Sequence, residues 1–326
     1  MIVDGTLANA VRCVAALAAL LGITPALAEV YPVKQVELVV PFVAGGTTDT
    51  IARMLAQRFS DSWRQTVIVS NRPGGGSTIG THVVARAAPD GYMLLVNTIS
   101  FAITPNLQKL PYDAINDFAP ITELASLPLV LVVHPSVPAT NLPEFIALAK
   151  SQPGGLDYAS GGAGTSPHLA AEMFNSMAGV KLVHVPFKGN AEGVNAILGG
   201  HVKVYFALLP AVLQHVRAGT LRAIAVTSQA RLAALPGVPT IAELGFPGYE
   251  IASWQGLFAP AGTPGDVVAK INAEAVAMIK APEVRQRIAQ EGAEPVGSTP
   301  DQFAARVKGD IAKWGKVIRE AGLAAQ

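Results

Sequence analysis

The chain has one cysteine, Cys13, and little charge: 14% of its 326 residues are Asp, Glu, Lys or Arg. Each shortage excludes something. A lone thiol forms no internal disulfide, and Cys13 lies in an N-terminal segment that reads as removable, so the mature chain has no thiolate for catalysis and no cysteine-based metal site. The formal net charge is +1 and the Lys and Arg residues are dispersed, which argues against a nucleic-acid surface. The six histidines, at 82, 134, 168, 184, 201 and 215, show no metal-ligand spacing. No metal and no cofactor are expected. Half of the residues are hydrophobic, yet Gly, Pro or charged residues interrupt every apolar stretch after the N-terminal segment, so no later membrane span is expected. Enzyme signatures are missing too: there is no G-x-S-x-G elbow, no G-x-x-x-x-G-K-[ST] phosphate loop and no H-E-x-x-H. Gly74-x-Gly76 is followed by Ile79 where a dinucleotide fingerprint needs its third glycine.

What is present begins with an export signal. Arg12 precedes an apolar run from Val14 to Ile23, and Ala26-Leu27-Ala28 is a small-residue cleavage site. The run is about half the roughly 20 residues that a membrane span requires. Residues 1–28 are therefore read as a signal peptide cleaved after Ala28, which makes the protein periplasmic. Asp4 offsets Arg12, so the usual positive excess ahead of the run is lacking. The remaining chain is near the upper size of one hydrophobic core, and two domains are expected.

Strand and helix patterns alternate along it. Val36 to Phe42 is a dense β-branched run that stops in Gly45-Gly46, and Ile51, Met54, Leu55 and Phe59 then recur at helical spacing, with Asp49 in the first turn and Arg53 four residues on. The pattern repeats: strand Thr66 to Ser70, turn Arg72 to Gly76, helix Ile79 to Ala87 and strand Tyr92 to Val96. A second series follows, with strands at Leu129 to Val133, Tyr158 to Gly164, Leu182 to Val185 and Val202 to Phe206, and helices at Leu142 to Ser151, Pro167 to Met177 and Ala191 to Leu198. This is an α/β architecture with mostly parallel sheets. Prolines at 236, 239 and 247 break all periodicity from Ala234 to Gly248, which reads as an ordered surface excursion. A strand at Ser253 to Ala259 and helices at Pro264 to Lys280, Pro282 to Glu291 and Thr299 to Ala321 finish the chain.

Three turns share one physical design. Pro41 to Thr48, Pro73 to Ser77 and Gly161 to Ser166 each place glycine between a strand end and a helix start, where the backbone approaches a ligand closely and the helix directs free N–H groups at it. Such a site holds an anion without a charged side chain, so near-neutral composition is no objection. Taken singly, each turn reads equally as a simple chain reversal. Several on neighbouring strand ends point to one crevice, the usual ligand position in open α/β sheets. Asp49 reads as a helix-start dipole partner, His168 as helix-start packing or ligand contact, Phe42 as pocket wall or core, and Lys188 as a crevice cation or an exposed turn residue.

An ordered set of short motifs runs through the whole mature chain: Pro41-Phe42-x-Ala44-Gly45-Gly46-x-x-Asp49, Asn71-Arg72-Pro73-Gly74, Pro89-Asp90-Gly91-Tyr92, Gly164-Thr165-x-x-His168-Leu169-Ala170, Val185-Pro186-Phe187-Lys188-Gly189, Pro236-x-Val238-Pro239-Thr240 and Ser253-Trp254-x-Gly256-Leu257-Phe258-Ala259-Pro260. With these the chain resembles the substrate-binding receptors of tripartite tricarboxylate transporters, the Bug-type periplasmic solute-binding proteins. The resemblance implies a type II periplasmic-binding-protein fold, two α/β lobes joined by two crossing strands near Glu123 to Val133 and Ser253 to Ala259. Residues 29–127 with 253–326 would form lobe 1 and 128–252 lobe 2, closing on the ligand by hinge motion. It implies that Phe42, Ala44, Gly45 and Gly46 bind one ligand carboxylate through backbone groups and ordered waters. Gly162, Ala163, Gly164 and Thr165 face them from the other lobe, Thr98 and Ser100 end a nearby strand, and His168, Phe187 and Ala207 complete the candidate set. Ala207 stands where the family usually carries an acidic residue, which weighs against an amino-acid ligand.

The function expected from this is capture of a small organic carboxylate and its delivery to membrane transporter subunits, by a monomer without catalysis. A ligand sensor of the same fold acting on a membrane signalling partner, and an exported α/β hydrolase or isomerase, are the alternatives. Turnover of a bound ligand separates the last, and a partner captured by the ligand-closed form separates the other two.

Overall fold

The computed structural model describes residues 31–187, 189–290, 292–320 and 322–323. The leader expected over residues 1–28, Cys13 within it, and Lys188 lie outside the described residues. In chain order the elements are β1 (Val36–Val40), α1 (Thr47–Trp63), β2 (Val67–Asn71), α2 (Thr78–Ala85), β3 (Met93–Thr98), the one-turn α3 (Ser100–Ile103), β4 (Phe118–Val133), α4 (Leu142–Ser151), β5 (Asp157–Ser160), α5 (Ser166–Ala178) and β6 (Val183–Pro186). They continue with α6 (Asn190–Leu198), β7 (Val204–Leu208), α7 (Leu209–Arg217), β8 (Arg222–Val226), β9 (Ala252–Pro260), α8 (Gly265–Lys280), α9 (Pro282–Gln290), β10 (Glu294–Pro295) and α10 (Pro300–Glu320).

Two sheets share one long strand. In the first, β2, β1 and β3 run parallel, β9 lies antiparallel to β3, and β4 lies antiparallel to β9. In the second, β4 lies antiparallel to β7 and to β8, while β5 runs parallel to β7 and to β6. The changeover falls inside β4. Phe118 to Pro128 pair with β9, and Leu129 to Val133 pair with β7 and β8. Proline donates no ladder hydrogen bond and is tolerated only where pairing is interrupted. Pro128 stands where one partner strand ends and the next begins, and Pro120 adjoins a register shift against β9.

The chain returns to the first sheet through one buried side chain. Thr227, just past β8, accepts a hydrogen bond from the Leu129 N–H on its hydroxyl (3.1 Å), and that hydroxyl lies 2.6 Å from the Ile251 carbonyl oxygen. Its backbone N–H reaches the Leu129 carbonyl and its carbonyl accepts from Ile251 N–H. Both passages between the sheets are thereby stitched at a single residue.

The apolar helix faces bury as their spacing requires. On α1, Ile51, Leu55 and Phe59 are buried. On α10, Phe303, Val307, Trp314 and Ile318 are buried, and Asp310 among them accepts from Trp254 Nε1 (2.7 Å) and Arg306 Nε (3.1 Å). Phe101, Phe118, Phe258, Phe303 and Trp254 form an aromatic core around β9, with Phe101 and Phe258 stacked at 4.4 Å and Trp254 edge-on to Phe303 at 5.3 Å. Gly256 exists for that packing, because a Cβ there would overlap the Phe303 ring.

Two differences from the sequence reading have physical causes. The strand expected over Tyr158 to Gly164 stops at Ser160, since Gly162 and Gly164 take positive φ values of 117° and 76°. The sequence reading assigned neither α7 nor β8: α7 begins at Leu209, directly after β7 ends at Leu208, with Pro210 as its second residue, so strand and helix run together as one apolar stretch. The stretch from Ala234 to Gly248 agrees with its reading as an ordered excursion: it has neither helix nor regular strand, and it is tied down. Thr240 and Glu243 exchange backbone-to-side-chain bonds (3.1 and 2.9 Å), and the buried Tyr249 hydroxyl donates to the Ala170 carbonyl (2.8 Å).

Candidate functional site

Strand register brings two sets of turns face to face. Thr98, the last residue of β3, is level with Gln255 on β9, which is level with Ala125 on β4. Leu208, the last residue of β7, is level with Leu129, four residues further along β4. Four residues of strand span roughly 13 Å, so the C-terminal ends of β1 to β3 and of β5 to β7 confront one another across the middle of β4. The two sides touch at Gly164, whose absent Cβ would overlap Leu107 just past α3.

The first turn, between β1 and α1, is held by Asp49. Its carboxylate accepts from Gly45 N–H (2.9 Å), Asn71 Nδ2 (3.0 Å) and Arg53 Nε (2.9 Å), and Asn71 Nδ2 also reaches the Phe42 carbonyl (3.1 Å). Burial works against the charge, but the bonds from Arg53, Gly45 and Asn71 outweigh it and hold the Asp49 carboxyl below the ordinary range. The expected pairing of Asp49 with Arg53 is present. The Gly45 amide, expected to face a ligand, is instead engaged by Asp49. What Gly45 contributes is its φ of 87°, which swings the chain into the helix. Ala44 and Gly46 are exposed and Phe42 is half-buried. α1 starts at Gly46 without a side-chain cap. The N–H groups of Thr47, Thr48 and Asp49 therefore have no acceptor within the helix.

A hydroxyl web joins the second turn to the end of β3. Thr98 Oγ1 and Ser100 Oγ lie 3.0 Å apart, Ser100 Oγ reaches Ser77 Oγ (3.3 Å) and Asn97 Oδ1 (3.3 Å), and Asn97 Nδ2 donates to Thr81 Oγ1 (2.9 Å). Ser77 is buried with φ of 81°, a conformation that costs a non-glycine residue about 1–2 kcal/mol. The sequence reading placed Ser77 at the end of the second turn without a side-chain role, because positive φ outside glycine leaves no pattern in the sequence.

The third turn, between β5 and α5, is tied from inside. Gly162 N–H donates to Ser160 Oγ (3.0 Å), Thr165 Oγ1 donates to the Gly162 carbonyl (2.7 Å), and Gly164 N–H donates to His168 Nδ1 (3.1 Å). His168 is buried, so of its two readings the structure displays packing at the helix start. Ala163 is exposed at the tip, and α5, like α1, begins without a side-chain cap. Phe187 is half-buried, with its carbonyl behind Gly162. Ala207 differs from the expectation: it is fully buried in an apolar cluster with Val130, Ala159 and Tyr205. Interior packing explains an alanine there, and its identity says nothing about a ligand amino group.

Beneath this turn, His168 and His184 stack at 4.1 Å, with Tyr158 stacked on His184 at 5.0 Å. Burial pushes both imidazoles down to about 4, and for His184 the neighbouring His168 adds to the effect. Because His168 is neutral in the fold, the unfolded chain binds more protons. Its contribution is complete above pH 6.5 and is lost as pH falls toward about 4. Glu123, pushed up to about 7 by burial, works in the opposite sense across part of that range. The test is therefore a difference: His168→Asn keeps an acceptor for Gly164 N–H without titrating, and wild type should lose roughly 3 kcal/mol more than the variant between the two pH limits in urea melts. Parallel pH profiles would refute the assignment.

Ser160 Oγ lies 2.6 Å from His184 Nε2, the spacing of a hydrolase nucleophile and its base. Ser160 is fully buried, however, and its hydroxyl also engages the Gly162 N–H and carbonyl, so the pair shapes the turn. Among the described residues no group of three His, Cys, Asp or Glu could hold a metal ion. Two recesses lie elsewhere: one of about 290 Å³ between α5 and α10, and a groove of about 560 Å³ between α1 and α9. Neither is lined by the three turns.

Comparison with known proteins covers nearly all of the described chain. The family model described as Tripartite tricarboxylate transporter family receptor matches residues 51–323. Protein BugT of Bordetella pertussis is 37% identical over 301 residues, 91% of this chain and 92% of its own. The structure of R. palustris Rpa4515 with adipate superposes with a TM-score of 0.83 at 37% identity, covering 90% of this chain and 99% of that one. MatC from Rhodopseudomonas palustris, with bound malate, gives 0.79 at 32% identity over 88% of this chain and 100% of that one.

Proposed function

The chain belongs to the tripartite tricarboxylate transporter receptor family, and from that we propose that it captures a small organic carboxylate between two lobes and delivers it to the membrane subunits of such a transporter. The lobes are residues 29–127 with 253–326, and 128–252. It acts as a periplasmic monomer once residues 1–28 are removed, and it binds its ligand without transforming it. Among the described residues no helix is long and apolar enough to cross a membrane.

The observation that carries this reading is the pair of uncapped helix N-termini, α1 and α5, at facing strand ends. Two converging sets of backbone N–H groups suit a compact anion. Each bond from such a donor to a carboxylate contributes about 1.5–3 kcal/mol, and a micromolar complex needs about 8 kcal/mol. Three or four bonds reach that before association costs. Ala44, Gly46, Ala163 and the first turns of α1 and α5 would supply them, with Thr98 and Ser100 beside them.

A melting screen against carboxylates tests this, with adipate and malate as the first probes. At 100 times its dissociation constant a true ligand adds about 2.7 kcal/mol of stability. Gly45→Val should remove the shift by straining the turn, because φ of 87° is unfavourable for a β-branched residue, while its Cβ meets no neighbour within 4 Å, so the cost to the unliganded fold is confined to that turn. A panel in which no carboxylate shifts the melt, or a bound ligand that is converted to product, would overturn the reading.

A further inference from the structure

We infer that Gln255 accepts a hydrogen bond from a hydroxyl on the ligand, so that the site prefers a 2-hydroxy carboxylate over its unsubstituted counterpart. The inference rests on the carboxylate reading above and narrows it.

Gln255 and Ser253 are the polar residues of an otherwise mostly apolar strand, and Gln255 is only 2% exposed. Its amide Nε2 lies 3.4 Å from Thr48 Oγ1, in the first turn of α1. Its Oε1 has no hydrogen-bond partner among the described residues. Buried side-chain acceptors are nearly always paired, so an orphan marks a place where something else supplies the donor.

Alternation along β9 fixes which way the amide faces. Trp254 reaches Asp310 on α10, and Gly256 lies against Phe303 on the same helix. Gln255 between them is on the opposite face, the α1 face, where it meets Thr48. Ser253, two residues earlier and on that same face, is also buried. Gln255 is level with Thr98, at the strand end where the crevice opens. The orphan oxygen therefore lies beside the helix start whose N–H groups would hold the carboxylate.

An oxygen acceptor takes either a hydroxyl or an ammonium. An ammonium needs a counter-charge in a site with little water. The carboxylate nearest this helix start, Asp49, is already committed to Gly45, Asn71 and Arg53. A neutral acceptor with no spare anion beside it suits a hydroxyl. Because the amide adjoins the carboxylate-binding turn through Thr48, that hydroxyl belongs on the carbon next to the carboxylate.

The test is calorimetric titration of the mature chain with malate and succinate, which differ by one hydroxyl. Wild type should prefer malate by about tenfold, the effect of one hydrogen bond to a neutral acceptor. Gln255→Leu should abolish the preference by weakening malate alone, and Gln255→Glu should weaken both ligands through like charge. Equal losses for both ligands in Gln255→Leu, or no loss in either, would overturn the inference. So would Gln255→Glu binding succinate as well as wild type does, or a wild-type protein that binds other carboxylates but neither of these. If the leucine variant does not fold, as judged by its unliganded melt, Gln255→Met takes its place under the same criteria. A protein that binds no carboxylate at all would defeat the functional reading itself, a distinguishable result.

Discussion

Asp49→Ala is expected to abolish the melting shift with every carboxylate, lowering affinity about 100-fold or more, and to cost the unliganded protein about 2–4 kcal/mol. Two effects compete at this residue. A carboxylate near the start of α1 repels a carboxylate ligand, so its removal favours binding electrostatically. Against that, Asp49 is the acceptor that fixes the turn: without it the Gly45 N–H has no partner and Asn71 Nδ2 keeps only the Phe42 carbonyl. Repulsion is blunted because Arg53 already pairs with the same oxygen at 2.9 Å. The Arg53 side chain is 56% exposed, so losing that ion pair itself adds little to the stability cost. Geometry is therefore expected to win. Asp49→Asn, which retains one acceptor oxygen, should fall between wild type and alanine. Titration and urea melts on both variants decide it: tighter or unchanged binding by Asp49→Ala would show that the turn holds its shape without the carboxylate and that repulsion outweighs geometry.

Gly164→Ala is expected to weaken ligand binding at least tenfold and to be partly rescued by Leu107→Ala. The added methyl would overlap Leu107 Cδ1, and φ of 76° is itself unfavourable for an L-residue. The steric part is relieved by trimming Leu107; the backbone part, about 1–2 kcal/mol, is not. The two residues sit on opposite sides of the crevice, Gly164 after β5 and Leu107 after α3, so overlap there should hold the two sides apart. Small-angle scattering should show a larger radius of gyration for Gly164→Ala and its return in the double variant. A single variant that melts lower but binds ligand as tightly as wild type would show that this contact serves stability and not the bound state.

Much of this architecture is legible from local pattern. The β-branched run before Pro41, the helical spacing of Ile51, Leu55 and Phe59 and the glycines between them specify a strand, a turn and a helix with no knowledge of the rest of the chain. Each property depends on residues within a few positions of one another. The same holds for the motif order that identifies the family. Strand order and element junctions were less legible: Leu209 follows β7 without a break, and hydrophobicity alone does not separate a buried strand end from a buried helix start.

The chemistry of the crevice depends on tertiary structure, because a turn's usefulness rests on which of its N–H groups remain free, and their partners come from elsewhere. Glycine spacing marked Pro41 to Thr48 and Gly161 to Ser166 as anion turns. Only the packed structure shows that Asp49 occupies the Gly45 amide and that His168 occupies the Gly164 amide, leaving the helix starts as donors. Ala207 looks pocket-facing in sequence and is interior, packed in one apolar cluster with residues of α6 and α7. Ser77 meets Ser100, and Gln255 meets Thr48 across most of the chain, because strand register aligned them. Local sequence determines where the backbone turns; long-range register decides which polar atoms are left unpaired at that turn, and those are the atoms a ligand meets.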